Sequence, residues 1–164
     1  ASPGAYFVTM CTHQRSMLFG DIVEGGMRLN DCGKIIGQEW EMSASIRREI
    51  TLDAFVVTPN HIHAVVFLEQ SAVGATGRSP SGPPRHSLGA FVGGFKSATT
   101  KRINDLRRTP GQPVWQRNYY EHVIRDETSL NRIRESITGN PARWNCDREN
   151  PAATTPEAQL VWRA

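Results

Sequence analysis

The sequence predicts an α+β fold: one antiparallel sheet of the ferredoxin-like or RRM-like kind, with helices packed on one face. Three observations carry this. The 164 residues are enough for one domain with a real core and too few for two. Apolar patterning runs strand, helix, strand, strand, helix, strand, helix. Two strand-like segments, 50–57 and 62–68, lie so close together that they form a hairpin, which makes the sheet at least partly antiparallel.

Residues 6–12, Tyr-Phe-Val-Thr-Met-Cys-Thr, are rich in aromatic and β-branched types and read as the first strand. Asp21 to Leu29, with Gly25 and Gly26 in the middle, reads as a turn with short extended arms. Asn30 or Asp31 can cap a helix running to about Arg48, along which Ile35, Ile36, Trp40, Met42 and Ile46 keep roughly helical spacing. Ile50 to Val57 is the second strand, Thr58-Pro59-Asn60 punctuates it, and Ile62 to Leu68 is the third. Residues 71–87 hold Gly74, Gly77, Gly82, Pro80, Pro83 and Pro84 and almost no large apolar side chain, the composition of a flexible loop. Leu88 to Leu106 reads as a helix whose start is weakened by Gly89, Gly93 and Gly94. Beyond Pro110 and Pro113, Val114 to Ile124 looks extended. Asp126 can cap a last helix, Glu127 to Gly139, ended by Asn140-Pro141. Residues 1–144 are therefore expected to form one domain, and the polar stretch 145–164, with Pro151 and Pro156, a tail.

The formal net charge is +3 and the pI about 9.0, which suits a nucleic-acid partner without requiring one. Cys11, Cys32 and Cys146 are odd in number and form no Cys-x-x-Cys pair. A disulfide framework and a cysteine zinc site are thereby disfavoured, and a reducing cytoplasm is the expected location. No apolar stretch approaches the ~20 residues of a membrane span. No signal peptide is visible in a chain that starts almost inside the apolar run Tyr6–Met10, as a trimmed or processed chain would.

The sharpest motif is Pro59-Asn60-His61-Ile62-His63-Ala64-Val65-Val66. Side chains alternate along a strand, so His61 and His63 share a face while Ile62 points to the other. Two imidazoles so placed can share a divalent metal, although two unrelated surface histidines would give the same pattern. Ser136 and Asn140 are four residues apart on the last helix, beside Ile133 and Ile137 on the stripe that packs on the sheet. An amide oxygen at Asn140 can thus approach the histidines, while Asn before Pro is also an ordinary helix end. Lys96, Lys101, Arg102, Arg107 and Arg108 cluster in one helix, and Trp115, Arg117, Tyr119, Tyr120, His122 and Arg125 follow. Cations hold phosphates and aromatic rings stack on unpaired bases; a solvated helix face carries the same charges.

The Pro59–His63 motif before an apolar strand resembles the HUH motif, histidine-hydrophobic-histidine, of the IS200-like transposases. Phe91–Ser97, Val114–Asp126 and Arg132–Pro141 resemble the REP-associated tyrosine transposases, and the similarity runs from about Tyr6 to Trp144. The resemblance implies an HUH fold for residues 1–144 and an enzyme that cuts and rejoins single-stranded or hairpin, REP-like DNA. It implies Mg²⁺ or Mn²⁺ on His61 and His63, with Asn140 as third ligand. In the family a tyrosine on the last helix attacks the phosphorus, giving a 5′-phosphotyrosine and a 3′-hydroxyl. The family pattern there is Tyr-Ile-x-x-Asn-Pro, and this chain reads Ser136-Ile137-Thr138-Gly139-Asn140-Pro141. Ser136 therefore stands in the nucleophile's place. A serine is shorter, and its hydroxyl far less acidic than a phenol of pKa ~10, so the chain as written is expected to be defective in cleavage. Tyr119 and Tyr120 are the nearest other phenols.

DNA contacts are expected from Lys96, Lys101, Arg102, Arg108, Trp115, Arg117, Tyr119, Tyr120 and Arg125. The alternative is a non-catalytic single-strand or hairpin DNA-binding protein derived from a transposase. A third reading is a ferredoxin-like RNA-binding protein whose histidines hold no metal. A monomer or homodimer, cytoplasmic and nucleoid-associated, with no membrane partner, completes the expectation.

Overall fold

The computed structural model describes residues 3–69 and 87–154. Strand β1 (Gly4–Cys11) leads through a short 3-10 turn to the hairpin β2 (Gly20–Val23) and β3 (Gly26–Leu29). Helix α1 (Asp31–Ile46), strands β4 (Ile50–Val57) and β5 (His61–Leu68), helix α2 (Leu88–Arg107), strand β6 (Tyr120–Ile124) and helix α3 (Glu127–Thr138) follow. A 3-10 segment, Pro141–Cys146, comes after α3. The four-stranded sheet has the order β4-β5-β1-β6, with every neighbouring pair antiparallel. Among the described residues, no helix is long and apolar enough to cross a membrane.

Local chemistry accounts for the element boundaries. Each helix begins at a side chain that accepts from a free backbone N–H of the first turn. Asn30 accepts from Gly33 at 2.9 Å, Ser87 from Ala90 at 3.1 Å and Asp126 from Ser129 at 2.8 Å. The β2–β3 turn uses Glu24 and Gly25, both with positive φ (52° and 75°), the twist that a two-residue hairpin prefers. At Gly33 a Cβ would collide with the Phe19 carbonyl, so only glycine lets α1 start against that segment.

The α+β antiparallel fold is as expected, but its layering is richer. One face of the sheet, Tyr6, Val8, Met10, Ile62, Ala64 and Val66, packs on Ile35, Ile36 and Trp40 of α1 and on Phe91, Val92 and Phe95 of α2. The other face, with Phe7 and Val65, packs on Ile133 and Ile137 of α3. The one-face expectation therefore holds for α1 and α2, and α3 covers the opposite face. The reason is legible in β1 and β5: strands buried on both sides read as continuous apolar runs. Tyr6, Phe7, Val8, Met10, Ile62, Ala64, Val65 and Val66 are all buried.

Two further expectations change. The strand expected over 114–124 is reduced to β6 and one isolated bridge between Trp115 and Thr12. Between them, the carbonyls of Gln116 and Asn118 accept from the Lys96 ammonium, at 2.9 and 3.0 Å, in place of a neighbouring strand. The expected 71–87 loop lies outside the described residues except for Ser87, the cap of α2. Of the expected 145–164 tail, residues 155–164 lie outside them too. Asp147 and Asn150 of that stretch are buried against the domain.

Candidate functional site

The turn before β5 is held from three sides. Thr12 N–H donates to Asn60 O, Phe19 N–H to Pro59 O, and Thr58 N–H to His61 O. The Asn60 amide donates from Nδ2 to the carbonyls of Arg15 and Glu149, at 3.3 and 2.7 Å. That fixes its orientation, because only the nitrogen end can donate to two carbonyls. Asn60 Oδ1 must then accept from His61 Nδ1, at 2.8 Å. The proton of neutral His61 therefore sits on Nδ1, and Nε2 carries the free lone pair.

That Nε2 lies 3.0 Å from Nε2 of His63 and 3.5 Å from Oδ2 of Asp147. His63 Nδ1 contacts the Thr9 hydroxyl at 2.8 Å. Asp147 accepts from Glu149 N–H on Oδ1 at 2.7 Å and from the Asn140 amide on Oδ2 at 2.8 Å. The Asn140 Oδ1 is buried and has no hydrogen-bond partner among the described residues. Burial, then the neighbouring His63 and Arg15, hold His61 well below the usual imidazole range. Burial brings His63 down to about 4, with Asp147 opposing and Arg148 assisting. Both rings are thus neutral at pH 7, the form that binds metals.

His61, His63 and Asp147 form a group that could hold a metal ion, their donor atoms all within 4.8 Å of one another. The spacing suits it. Two ligand atoms each about 2.1 Å from one hard cation and at right angles stand about 3.0 Å apart. The orphaned Asn140 oxygen is a further donor of the right kind, since an unpaired buried carbonyl costs roughly 1–3 kcal/mol unless something meets it. Cys11, opposite His61 across β1 and β5, is pushed up to about 12 by burial and by Glu149, so it remains a thiol.

The expected site residues divide. His61 and His63 do share a face, and Asn140 joins them through Asp147. Ser136 is half-buried on α3, and Arg143 donates to its carbonyl at 3.2 Å and its hydroxyl at 3.4 Å. Asp147 escaped the sequence reading. It lies past the boundary placed at 144, in a polar stretch without periodicity, and its burial was its only distinguishing mark.

The expected DNA-contacting residues divide as well. Trp115 is 7% exposed, packs on Phe19 and Phe95, and donates its indole N–H to Thr99 at 2.9 Å, so it belongs to the core and has no free face for a base. Lys96 is spent on the two carbonyls, and Arg102 on Glu39 and Gln38, at 2.9 and 2.8 Å. The Tyr119 hydroxyl donates to Glu121 at 3.1 Å and is pushed up to about 12 by burial and that carboxylate. Tyr120 lies in one cross-sheet row with Thr9, His63 and Val56, hence on the histidine face. Lys101, Arg108, Arg117 and Arg125 are exposed. Arg125 follows Ile124, which pairs with Ala5 at the end of the sheet remote from His61.

No family model matches the chain. An uncharacterized protein of Haemophilus influenzae is 34% identical over 155 residues, covering 90% of this chain and 85% of that protein. The solved structure of a REP-associated tyrosine transposase bound to a REP hairpin has the same fold, with a TM-score of 0.57 and 19% identity, over 88% of this chain and 70% of that one.

Proposed function

This chain belongs to the family of the uncharacterized Haemophilus influenzae protein, and we propose that it is a metal-dependent single-stranded DNA protein of the REP-associated tyrosine transposase type. In this reading it binds hairpin DNA with an unpaired flank and has the architecture of an HUH endonuclease and strand transferase. The observation that carries it is the facing His61 and His63 Nε2 atoms, 3.0 Å apart, with the unpaired Asn140 oxygen beside Asp147. The shared fold with a transposase that binds a REP hairpin supports the choice of ligand.

His61, His63 and Asn140, with Asp147, would hold Mg²⁺ or Mn²⁺. A divalent cation there supplies polarisation of a phosphodiester and stabilisation of its developing charge. Asn60 and Thr58 keep the His61 lone pair turned inward, and Thr9 does the same for His63. Ser136 stands where the attacking phenol would be and is engaged by Arg143, so the chain as written binds and orients the strand without forming a covalent link. That same observation favours the second reading, a non-catalytic hairpin-binding protein.

The test is binding of a hairpin with an unpaired flank, measured against the blunt hairpin, with and without Mn²⁺, across a salt series. Preference for the flanked hairpin, with affinity falling steeply as salt rises, is expected, because bound counterions are released from the phosphates. Equal affinity for any blunt duplex, or salt-insensitive binding, defeats the proposal.

A further inference from the structure

A groove of about 510 Å³ runs between α2 and the segment 111–117, outside the histidine site. We infer that it seats an unpaired nucleotide of the DNA flank, its phosphate between Lys101 and Arg117 and its base against Pro113, with the Ser97 and Thr100 hydroxyls at the base edge. This rests on the reading given above and specifies where the single strand lies.

The groove is broad and open to solvent, so it offers a surface along which a strand can lie and does not enclose a ligand. Among the described residues no acidic side chain lines it, while Lys96, Lys101 and Arg117 do. Arg117 is exposed, and the Lys101 pair with Asp105, at 3.4 Å, is exposed on both partners and yields readily to a phosphate. Ser97 and Thr100 are three residues apart on α2 and so stand on one side of the helix.

Its walls are fixed in advance, which lowers the cost of ordering on binding. Lys96 clamps the carbonyls of Gln116 and Asn118. Asn104 donates to Gln112 O at 2.9 Å and accepts from Thr109 at 3.0 Å. Trp115 anchors the segment from below through Thr99. The same segment continues the sheet, since Gln116 N–H donates to Cys11 O and His13 N–H to Val114 O. Cys11 in turn pairs with His61. The backbone of that segment is therefore about two strand spacings, about 10 Å, from the backbone of His61. Because α2 covers the face opposite the histidines, a DNA strand that reaches both sites passes round this end of the sheet.

The test is fluorescence anisotropy with the full chain and a K101A/R117A double variant, its fold checked by circular dichroism. The probes are a hairpin with a short unpaired flank, the same hairpin blunt, and oligo(dT). The double variant is expected to bind the flanked hairpin about tenfold more weakly, to lose about 1.4 from the salt slope of that binding, and to bind the blunt hairpin unchanged. Abasic replacement at one flank position should weaken the wild-type chain and leave the double variant unaffected. Equal loss on both hairpins, or no loss on either, overturns the groove assignment while leaving the hairpin reading intact. If the wild-type chain binds neither hairpin, the hairpin reading fails, and oligo(dT) decides the groove: weaker binding by the double variant supports it, and unchanged or absent binding overturns it.

Discussion

The Nε2 atoms of His61 and His63 face each other at 3.0 Å; His61 is fully buried, while His63 is half-buried with the Phe7 ring 5.3 Å away. Two lone pairs at that distance repel unless a proton or a cation lies between them. The Thr9 hydroxyl, able to donate to or accept from His63 Nδ1, lets His63 serve either case. The pair can therefore share either a proton, as a neutral hydrogen bond from His63 Nε2–H to His61 Nε2, or a metal cation.

Metal binding follows first. Titration of the chain with Mn²⁺, followed by calorimetry or electron paramagnetic resonance, should show one site that His61→Ala or His63→Ala abolishes. Asp147→Asn should weaken it by at least about tenfold, because it removes the carboxylate charge from the donor group and alters the partner of Asn140. Wild-type affinity in His61→Ala would place the metal elsewhere.

Restoring the phenol should restore chemistry. Ser136→Tyr, incubated with a labelled flanked hairpin and Mn²⁺, is expected to give a protein–DNA adduct on a denaturing gel, and the Ser136 form none. Proximity is worth several powers of ten in rate only when a competent nucleophile stands about 3 Å from its target. An adduct from the Ser136 form would move the nucleophile elsewhere, with Tyr120, in the His63 row, the first phenol to replace. Absence of an adduct from both forms would favour the non-catalytic reading.

Acid should act on the histidine pair late. His63 titrates near 4 in the folded chain, below the ordinary 6.5, because burial disfavours its charged form. The unfolded chain binds that proton first as pH falls. The histidine's contribution to stability is therefore complete above about pH 6.5 and is lost progressively as pH falls toward about 4. A proton resonance titration of the imidazoles in the metal-free chain should find His63 neutral at pH 6, and a midpoint at or above 6.5 would contradict the burial argument.

Trp115 should behave as a core residue. Trp115→Ala is expected to cost about 3–5 kcal/mol in urea unfolding, the range for removing a buried aromatic. Trp115→Phe should cost about 1–3 kcal/mol, because the Thr99 hydroxyl loses the donor it accepts from. If Trp115→Phe folds as stably as the wild type and its only effect is on DNA affinity, the side chain faces the ligand after all.

Much of this architecture was legible in contiguous residues. Strand alternation by itself put His61 and His63 on one face with Ile62 on the other, and polar residues, Asn30 or Asp31 and then Asp126, marked where the first and last helices begin, whereas the Ser87 cap of α2 emerged only in the structure. These are properties of neighbours along the chain, set by backbone geometry alone. The unbroken apolar runs in β1 and β5 also carried the two-sided burial, although helices were expected on one face only. Tertiary structure decided the rest. It brought Asp147 from a polar stretch without periodicity to within 3.5 Å of His61, chose the His61 tautomer through Asn60 and the Glu149 carbonyl, buried Trp115, and spent Lys96 and Arg102 on carbonyl and carboxylate partners. Each of these depends on which groups lose water together when distant segments pack, and a partner's desolvation leaves no mark in the local sequence of either residue.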